Sequence, residues 1–384
     1  MLRRHVKAIC VMAGVFLMLA CGLSFACSDF QLKANDGTVV IGRSMEYPVD
    51  LHSNVVIVPR GREFTSVDDK ENKGITWKNK YGFLGIDAFG FADVYLEGFN
   101  EEGLAYDALM FTGAKYQLPL PGKFVTIADF GAWVLGNFAT VDEVREALKK
   151  VNVSGMNIKE AGGDVDLHVA VHDASGKNLV IEFIDGQVKV YDNPLGVMTN
   201  RPDFPWQINN LRNYINLDAH DRKDKTIGGI GIEPTGVGSG MLGLPGDWTP
   251  PSRFVRLAMC VDQALPVENA EQAVNLAQHL LNVVDIPKGV IKENPEPSVN
   301  LEGYAQWVVI KDLTNKVLYY KTYENTLLKK VDLKECDLAP GAAPCSIAID
   351  DKQQSVTDVT KQLKPQESPV KEPEVTQEDK EKDS

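Results

Sequence analysis

The first 26 residues determine where a folded domain can begin in this chain of 384 residues. A basic start within residues 1–7 is followed by an apolar stretch over residues 8–26. The stretch ends in Ser24-Phe25-Ala26, with small residues at the two positions that a signal peptidase reads. This pattern is typical of a signal peptide. It predicts an exported protein, periplasmic or secreted, whose mature chain of 358 residues begins at Cys27.

Two other interpretations of this segment stay open. The apolar run is barely long enough to span a bilayer, so an uncleaved membrane anchor is one alternative. Met18-Leu19-Ala20-Cys21 loosely resembles a lipoprotein cleavage motif, and a cut before Cys21 would leave six residues ahead of Cys27. After residue 26 the sequence has no apolar stretch long enough to span a bilayer, so no membrane span is predicted for the mature chain.

Cys27 would carry both a thiol and a free α-amine if the chain were cut after Ala26. An α-amine with a pKa of about 7.7–8.0 can accept the thiol proton without any histidine. The sequence therefore predicts that Cys27 is a nucleophile that supplies its own base. A papain-like cysteine and histidine pair is disfavoured, because no cysteine lies in a Cys-Gly-Ser-Cys-Trp type of motif.

The other cysteines after residue 26 have less reactive interpretations. Cys336 and Cys345 flank a loop that contains Pro and Gly, and a local disulfide is predicted for them in an exported chain. Cys260 lies in an apolar helical pattern and is predicted to be an inert core thiol. Cys27 has no evident disulfide partner, which suits a nucleophile.

Charge and motifs exclude several classes of function. The net charge of −13 becomes about −16 without the signal peptide, and no basic stripe offsets it, so nucleic-acid binding is disfavoured. Gly238–Gly243 matches G-x-G-x-x-G but leads into Leu-Pro-Gly and not into a helix, which disfavours a dinucleotide site. His168 and His172 lie four residues apart without a supporting ligand cluster. No cofactor and no metal site are predicted.

Periodicity predicts an α+β domain over residues 27–349. Strands are predicted at Phe30–Ala34, Thr38–Arg43, Asn54–Val58, Phe83–Leu96, Asp166–Asp173, Asn178–Ile184, Gln187–Tyr191, Ala305–Asp312 and Lys316–Tyr323. Helices are predicted at Thr126–Leu135, Thr140–Val151, Ser252–Gln263 and Ala270–Val284. This order favours two antiparallel sheets between helices. Residues 350–384 are polar and lack aromatics, which predicts a disordered tail.

Arg43 and Glu46 form the first charged pair after Cys27 that could serve catalysis. A guanidinium near the thiol would favour the thiolate, and a carboxylate near the α-amine would orient that amine by hydrogen bonding. The alternative is a surface ion pair at the end of a strand.

Several segments of the sequence, taken together, point to a known family. They are Cys27-Ser28-Asp29-Phe30, Gly42-Arg43-Ser44-Met45-Glu46, Ile57-Val58-Pro59-Arg60-Gly61, Phe99-Asn100-Glu101-Glu102-Gly103-Leu104, Trp133-Val134-Leu135-Gly136-Asn137-Phe138, Leu195-Gly196-Val197-Met198-Thr199-Asn200, Gly243–Phe254 and Tyr320-Lys321-Thr322-Tyr323. In this order, over about residues 27–330, they resemble the choloylglycine hydrolase family. That family comprises conjugated bile salt hydrolases and penicillin V acylases.

The resemblance implies an N-terminal nucleophile hydrolase fold, a four-layer αββα sandwich whose first strand begins at the nucleophile. It implies that Cys27 attacks an amide, that Arg43 flanks its sulfur and that Arg253 belongs to the charged network around it. It also implies that the Asn200 side chain donates to the oxyanion hole.

Two positions depart from the pattern of the family. Glu46 stands where the family usually has Asp, so the partner of the α-amine is one methylene longer. Met110 stands at the second oxyanion position, which is often Asn or Tyr. The resemblance implies that the backbone N–H acts there, so Met110 could serve and would change the pocket wall instead.

The implied activity is hydrolysis of a non-peptide amide through a thioester on Cys27. Conjugated bile salts rank first as substrates, ahead of penicillin V and N-acyl homoserine lactones, because Met110, Phe83–Leu84, Phe89 and Phe111 suggest a roomy apolar pocket. The alternative from another class is a non-catalytic exported lipoprotein or binding protein on the same fold. The length of Arg201–Asp247, with a polar excursion at Asp218–Lys225, predicts a homotetramer or, failing that, a homodimer.

Overall fold

Two antiparallel sheets lie face to face in the molecule, and each carries helices on its outer side. The computed structural model describes residues 26–91, 93–161, 163–292, 303–350, 357 and 359–362. The predicted signal peptide, apart from Ala26, and most of the predicted tail lie outside these residues. No helix in the described part of the chain is long and apolar enough to cross a membrane.

The described residues form the following strands and helices. The strands are β1 (Ser28–Lys33), β2 (Val39–Tyr47), β3 (Asn54–Val58), β4 (Glu63–Val67), β5 (Lys73–Lys78), β6 (Phe83–Asp87), β7 (Tyr95–Asn100), β8 (Ala105–Met110), β9 (Phe124–Thr126), β10 (Asn152–Ser154), β11 (Asn157–Ile158), β12 (Gly163–Asp164), β13 (Leu167–His172), β14 (Asn178–Ile184), β15 (Gln187–Asp192), β16 (Val197–Met198), β17 (Lys225–Ile227), β18 (Ile230–Ile232), β19 (Tyr304–Asp312), β20 (Val317–Thr322), β21 (Lys329–Asp332) and β22 (Cys345–Ala348). The helices are α1 (Ile127–Asn137), α2 (Val141–Ala147), α3 (Phe204–Asn210), α4 (Pro250–Gln263) and α5 (Ala270–Asn282).

The strand order defines the layers. The six-stranded sheet runs β16-β1-β2-β19-β20-β21, and the eight-stranded sheet runs β15-β14-β13-β8-β7-β6-β3-β22. Helices α4 and α5 pack on the outer face of the first sheet, and α1 packs on β7 and β8 of the second. The predicted α+β fold, a four-layer αββα sandwich, is confirmed.

Strand β6 shows why the sheets are buried on both faces. Phe83 packs in the cluster beneath α1, whereas Leu84 and Ile86 pack in the cluster between the sheets, as the alternation of side chains in a strand requires. All three side chains are fully buried. Replacing Phe83 by Ala would cost about 3–5 kcal/mol of folding free energy.

Some element boundaries differ from the predicted ones for local reasons. The predicted strand-forming stretch Phe83–Leu96 contains β6 and the start of β7, joined by a loop in which Phe89 has a φ of 56°. Helix α2 begins at Val141, with Thr140 as its N-cap, and ends at Ala147, earlier than the predicted Val151. The N–H of Lys150 donates to the Ala147 carbonyl in a tighter turn, which stops the helix before Val151.

The predicted disulfide between Cys336 and Cys345 is not formed, and both residues are free thiols. The Cys336 thiol contacts the Asp332 carbonyl oxygen at 3.5 Å. Cys345 begins strand β22, where it is paired with Ile57 of β3. Cys260 is half-buried on α4, where burial raises the pKa of its thiol, and this agrees with an inert role.

Strand β2 carries charged side chains into the interior. It lies between β1 and β19, and all nine of its residues are buried. One face of β2 packs toward α5 and the other faces the eight-stranded sheet. Arg43 and Glu46 are therefore both inside the molecule and not at its surface, and the surface ion-pair alternative is wrong.

Candidate active site

Cys27 lies directly before strand β1, which pairs with β16 and β2, and is 1% exposed. Its backbone N–H, which still belongs to the peptide bond with Ala26, donates to Asn200 Oδ1 at 2.8 Å. Its sulfur lies 4.0 Å from the Glu46 carbonyl oxygen. Burial raises the pKa of the thiol, and nearby Arg43 opposes this only in part. The resting thiol is therefore protonated at neutral pH and needs a base before it can attack.

Arg43 is held on the side of Cys27 that faces the eight-stranded sheet. Its Nη1 lies 2.7 Å from Glu97 Oε1, and its Nη2 donates to the Ala108 carbonyl at 2.7 Å. Its Nε lies 3.7 Å from Asp107. Burial alone would lower the pKa of Arg43, but the carboxylates outweigh burial and raise it. The guanidinium thus remains charged beside the sulfur.

The carboxylates that hold Arg43 belong to a larger buried network. The Lys311 ammonium contacts Asp107 and lies 3.1 Å from Glu97 Oε2. Glu97 also accepts a hydrogen bond from the Trp307 indole at 2.8 Å. These side chains are buried between the two sheets. Sequence analysis missed them. Their only local signal was a charge inside an apolar strand pattern.

The network extends to the strand that follows the nucleophile. His172 Nε2 lies 2.8 Å from Asp29 Oδ1, and His172 Nδ1 lies 2.7 Å from Asn178 Oδ1. Burial would lower the pKa of His172, but Asp29 and Asp107 outweigh burial and raise it. His172 and Asp29 thereby join Arg43, Lys311, Glu97 and Asp107 in one buried network of ionisable groups.

Asp29, Asp107 and His172 have potential metal-ligating atoms within 4.8 Å of one another. This cluster already receives its positive charge from Lys311 and from Arg43. His168 is occupied elsewhere, since its Nε2 lies 2.8 Å from the Thr199 carbonyl oxygen. Among the residues that the structure describes, these side chains have protein partners that fit a charged core better than a metal centre.

Arg253 lies on the other side of Cys27 and is fully buried. Its Nη1 donates to the Cys27 carbonyl and, at 2.7 Å, to Ser28 Oγ, while Nη2 donates to Asn200 Oδ1 at 2.7 Å. Burial lowers the pKa of Arg253 to about 10, and nearby Glu46 opposes this. All of these acceptors are neutral. Arg253 is therefore a buried charge held by dipoles.

The sequence Asp247–Ser252 explains why Arg253 points inward. Asp247 accepts hydrogen bonds from the Thr249 N–H at 2.9 Å and from Ser252 Oγ at 2.7 Å, which fixes the first turn of α4. Pro residues occupy the start of the helix, where their missing N–H groups are tolerated. Arg253 is thereby aimed at the strand that carries Cys27.

Glu46 lies in the same pocket and is 1% exposed. Burial raises the pKa of its carboxyl group to about 7, although Arg253 and Arg43 oppose this. The Ser44 hydroxyl lies close enough to lower the pKa of this carboxyl group, but neither carboxyl oxygen makes a hydrogen bond of normal geometry among the described residues. A buried carboxyl without a donor is costly, so a new donor in this pocket would bind it favourably.

Asn200 and Met110 meet at the edge of the same pocket. Asn200 Nδ2 donates one hydrogen to the Met110 carbonyl at 2.9 Å. The N–H of the next residue, Phe111, donates to the Asp166 carbonyl beside β13. Because successive N–H groups of a strand point to opposite sides, the Met110 N–H points away from β13, toward the side of Asn200. A backbone N–H and a second amide hydrogen can thus reach one oxygen.

An apolar cavity opens beside Cys27. Met110, Phe89 and Tyr95 are among its lining residues, and Asp164 is the one charged residue among those described. The predicted wall residues Phe83–Leu84 and Phe111 are not among its lining residues, although all three are fully buried. The loop between β6 and β7 supplies Phe89 instead.

A family comparison explains this constellation. The family model described as linear amide C–N hydrolases, choloylglycine hydrolase family, matches residues 27–358. The bile salt hydrolase/transferase of Clostridium perfringens is 32% identical over 318 residues, which cover 81% of this chain and 94% of that protein.

The chain belongs to the choloylglycine hydrolase family. It is therefore a hydrolase of linear amide C–N bonds. A penicillin V acylase of Pectobacterium atrosepticum is 25% identical over 380 residues, which cover 92% of this chain and 93% of that protein.

Solved structures agree with the fold of this choloylglycine hydrolase family member. A variant of the conjugated bile acid hydrolase from Clostridium perfringens superposes with a TM-score of 0.76 and 28% identity, covering 87% of this chain and all of that chain. Penicillin V acylase from Agrobacterium tumefaciens has the same fold, with a TM-score of 0.69 and 24% identity, over 85% of this chain and 93% of that one.

The structure brings together the catalytic and oxyanion residues that the sequence predicted. Arg43, Glu46, Asn200 and Arg253 all lie around Cys27, and Met110 lies beside Asn200. The G-x-G-x-x-G segment does not belong to this site. Within it, Ser239–Met241 forms one short helical turn, and the next helix is α4.

Proposed function

We propose that this hydrolase is exported and cleaves the amide bond of conjugated bile salts with Cys27 as its nucleophile. The observation that carries the proposal is the position of the Cys27 thiol. It stands at one end of an apolar cavity, between an arginine and a pair of oxyanion donors. The relatives named bile salt hydrolase and conjugated bile acid hydrolase support the choice of substrate.

Removal of residues 1–26 would create the base. The free α-amine of Cys27 takes the thiol proton, and the thiolate attacks the carbonyl carbon of the substrate. The tetrahedral oxyanion accepts hydrogen bonds from the Met110 N–H and from the second hydrogen of Asn200 Nδ2. The C–N bond then breaks, and the α-ammonium gives its proton to the departing amine.

The second half of the cycle releases the acid. The α-amine removes a proton from water, which attacks the thioester carbonyl, and collapse of the intermediate frees the carboxylic acid. The sulfur leaves as a thiolate and takes the proton back.

The cleavage also supplies the donor that Glu46 lacks. A peptide N–H has one hydrogen, which Asn200 already accepts, whereas an α-ammonium has three. The two remaining hydrogens can turn toward the unpartnered Glu46 carboxylate and toward the sulfur. This extra partner is the role that the sequence assigned to Glu46.

The cavity also favours a second candidate substrate. Phe89, Phe91 and Tyr95 give it aromatic walls, onto which the phenoxy ring of penicillin V could pack. A steroid nucleus would use the aliphatic and aromatic lining together. Comparison of kcat/KM for glycocholate, taurocholate and penicillin V on one preparation decides between them. Penicillin V turned over a hundredfold better than either bile salt would reverse the ranking.

The mechanism has a test that does not depend on the substrate. Cys27→Ser and a chain that retains Ala26 should both fold as the wild type does and should lose turnover. In the extended chain the thiol remains but the base is gone. Full activity of the extended chain would contradict the role of the α-amine. A circular dichroism melt of each variant shows that the fold is intact.

Export is proposed from the signal-peptide pattern at residues 1–26. Mass spectrometry of the mature protein from its natural host should find a free Cys27 at the N-terminus in the periplasmic or secreted fraction. A diacylglyceryl group on Cys21 would support a lipoprotein instead and would remove the α-amine from the mechanism.

A homotetramer, or failing that a homodimer, is proposed from the segment after α3. The polar excursion Asp218–Lys225 leads into the hairpin of β17 and β18, which places Ile227, Ile230 and Ile232 at 59%, 65% and 48% exposure. An apolar hairpin of this kind is suited to burial against another copy. Light scattering should show an assembly that Ile227→Asp and Ile230→Asp dissociate. Wild-type monomers at micromolar concentration would contradict it.

A further inference from the structure

The residues that follow the two oxyanion donors meet at the rim of the active site. Arg201 follows Asn200, and Phe111 follows Met110. The Arg201 guanidinium carbon lies 4.9 Å from the centre of the Phe111 ring. Phe111 is fully buried and also stacks against the His168 ring, with ring centres 4.7 Å apart. The guanidinium is therefore positioned by a rigid aromatic stack.

Arg201 has an exposed side chain whose charge acts on Asp166 and opposes the rise that burial causes in the pKa of that carboxyl group, but the two make no direct ion pair. Among the described residues, no carboxylate lies within 4.0 Å of its guanidinium, and its side chain makes no hydrogen bond. The nearest relevant acid, Asp166, uses its Oδ2 to accept the Gly113 N–H at 2.5 Å. A guanidinium that is held against an aromatic ring and makes no hydrogen bond can bind a carboxylate or sulfonate through bidentate hydrogen bonds.

The position of Arg201 determines which part of the substrate it would meet. The apolar cavity receives the acyl group, and neither Arg201 nor Phe111 lines it. Once the carbonyl oxygen is placed between the Met110 N–H and Asn200, the amine half of the amide must extend away from the cavity, toward the exposed rim. Arg201 is the residue directly next to Asn200 on that rim.

We infer that Arg201 selects substrates whose leaving amine carries a carboxylate or sulfonate. This inference rests on the proposed function, because it assigns the recognition of the amine half to the same site. The protein has a formal net charge of −13, which disfavours the approach of an anionic substrate. A local cation beside the oxyanion donors offsets that repulsion where the substrate docks.

The test compares two substrates that differ only in the charge of the leaving amine. They are the glycine conjugate and the glycinamide conjugate of whichever acyl group the wild type cleaves fastest. Arg201→Gln should lower kcat/KM for the glycine conjugate by about tenfold, mainly through KM, and should leave the glycinamide conjugate almost unchanged. Arg201→Lys should retain most of the preference, and added salt should weaken it in the wild type.

A matched control is Arg212→Gln, which removes another exposed arginine of the same segment and should change neither substrate. An equal loss on both conjugates in Arg201→Gln would show that Arg201 supports the Phe111 stack and not an anion, and would overturn the inference. So would no loss on either. Cleavage of neither conjugate by the wild type would overturn the proposed function itself.

Discussion

The two arginines that flank Cys27 are buried to the same degree but are held in opposite ways. Arg43, on the side of the eight-stranded sheet, is surrounded by carboxylates, which raise its pKa. Arg253, on the side of α4, is bonded to carbonyl, hydroxyl and amide oxygens, and its pKa falls to about 10. One charge is matched by opposite charges and the other by neutral dipoles.

This difference indicates a structural role for the network around Arg43 and a catalytic role for the pocket around Arg253. The network around Arg43 is balanced by its own members, so its state need not change during catalysis. The pocket around Arg253 holds the groups whose charge does change, namely the Cys27 thiol, its α-amine and Glu46. A cation held by dipoles is free to stabilise negative charge as it forms there. Breaking the first region should therefore cost stability, and breaking the second should cost rate.

The largest expected effect comes from unbalancing the network. Lys311→Met leaves Glu97 and Asp107 with a single buried cation, and we expect a loss of about 3–5 kcal/mol in the free energy of unfolding. Urea denaturation measures it. Lys330→Met removes an exposed lysine of strand β21 and should change stability by no more than about 0.5 kcal/mol. Equal stability of the two variants would refute the role given to the network.

The next prediction tests the region around Arg253, whose charge is held by neutral dipoles. Arg253→Met should lower kcat/KM by about 10²–10³-fold, because the thiolate loses a nearby cation. Its cost in stability should be smaller, about 1–3 kcal/mol, because it leaves neutral acceptors without donors.

Arg256→Met is the matched control for Arg253→Met. Arg256 lies on the same helix and donates to the carbonyls of Val283, Pro245 and Asp247. Its replacement should destabilise the fold in a similar way while kcat/KM stays close to the wild-type value. Matching rate losses in the two variants would remove the distinction between the two regions.

The smallest effect sharpens the comparison through pH. In a chain that retains Ala26, the pKa of Glu46 is raised from its ordinary value of 4.5 to about 7. The folded state then holds the proton more tightly than the unfolded state does. Stability should therefore fall as the pH rises from about 4.5 to 7, by up to about 3 kcal/mol.

Glu46→Gln should abolish this fall, and removal of Ala26 should reduce it because the α-ammonium then pairs with the carboxylate. Urea denaturation at several pH values measures each case. The chain that retains Ala26 and its Glu46→Gln variant should therefore differ in how their stability depends on pH. The same pH dependence in both would contradict the burial of an unpartnered carboxyl group at Glu46.

Sequence patterns predicted the residues that contact or flank Cys27 better than the lysine and carboxylates of the buried network. Cys27, Arg43 and Arg253 lie in recognisable motifs, and the strands and helices that carry them have clear periodicity. Lys311 has no such signal. It bonds to Asp107 and Glu97, which are 204 and 214 residues distant in sequence. In isolation, a lysine in an apolar strand indicates a solvent-facing position.

The same limit explains the strands that sequence analysis missed. β8 contains Asp107, which interrupts the apolar pattern, yet the strand is central because Lys311 neutralises the charge. β22 is a short edge strand whose residues are exposed and whose pairing with β3 is its main fixture. Only the assembled sheets supply the partners that make these segments strands.

The buried network around Arg43 also constrains how this protein can change over generations. A replacement that removes one charge from Arg43, Lys311, Glu97 or Asp107 leaves its buried partners unpaired, so we expect it to be tolerated only together with a compensating change in a partner. The hydrogen-bond acceptors of Arg253 are neutral, so replacements among them carry no such requirement. We therefore expect the network to change in pairs, whereas the pocket around Arg253 can be adjusted one residue at a time.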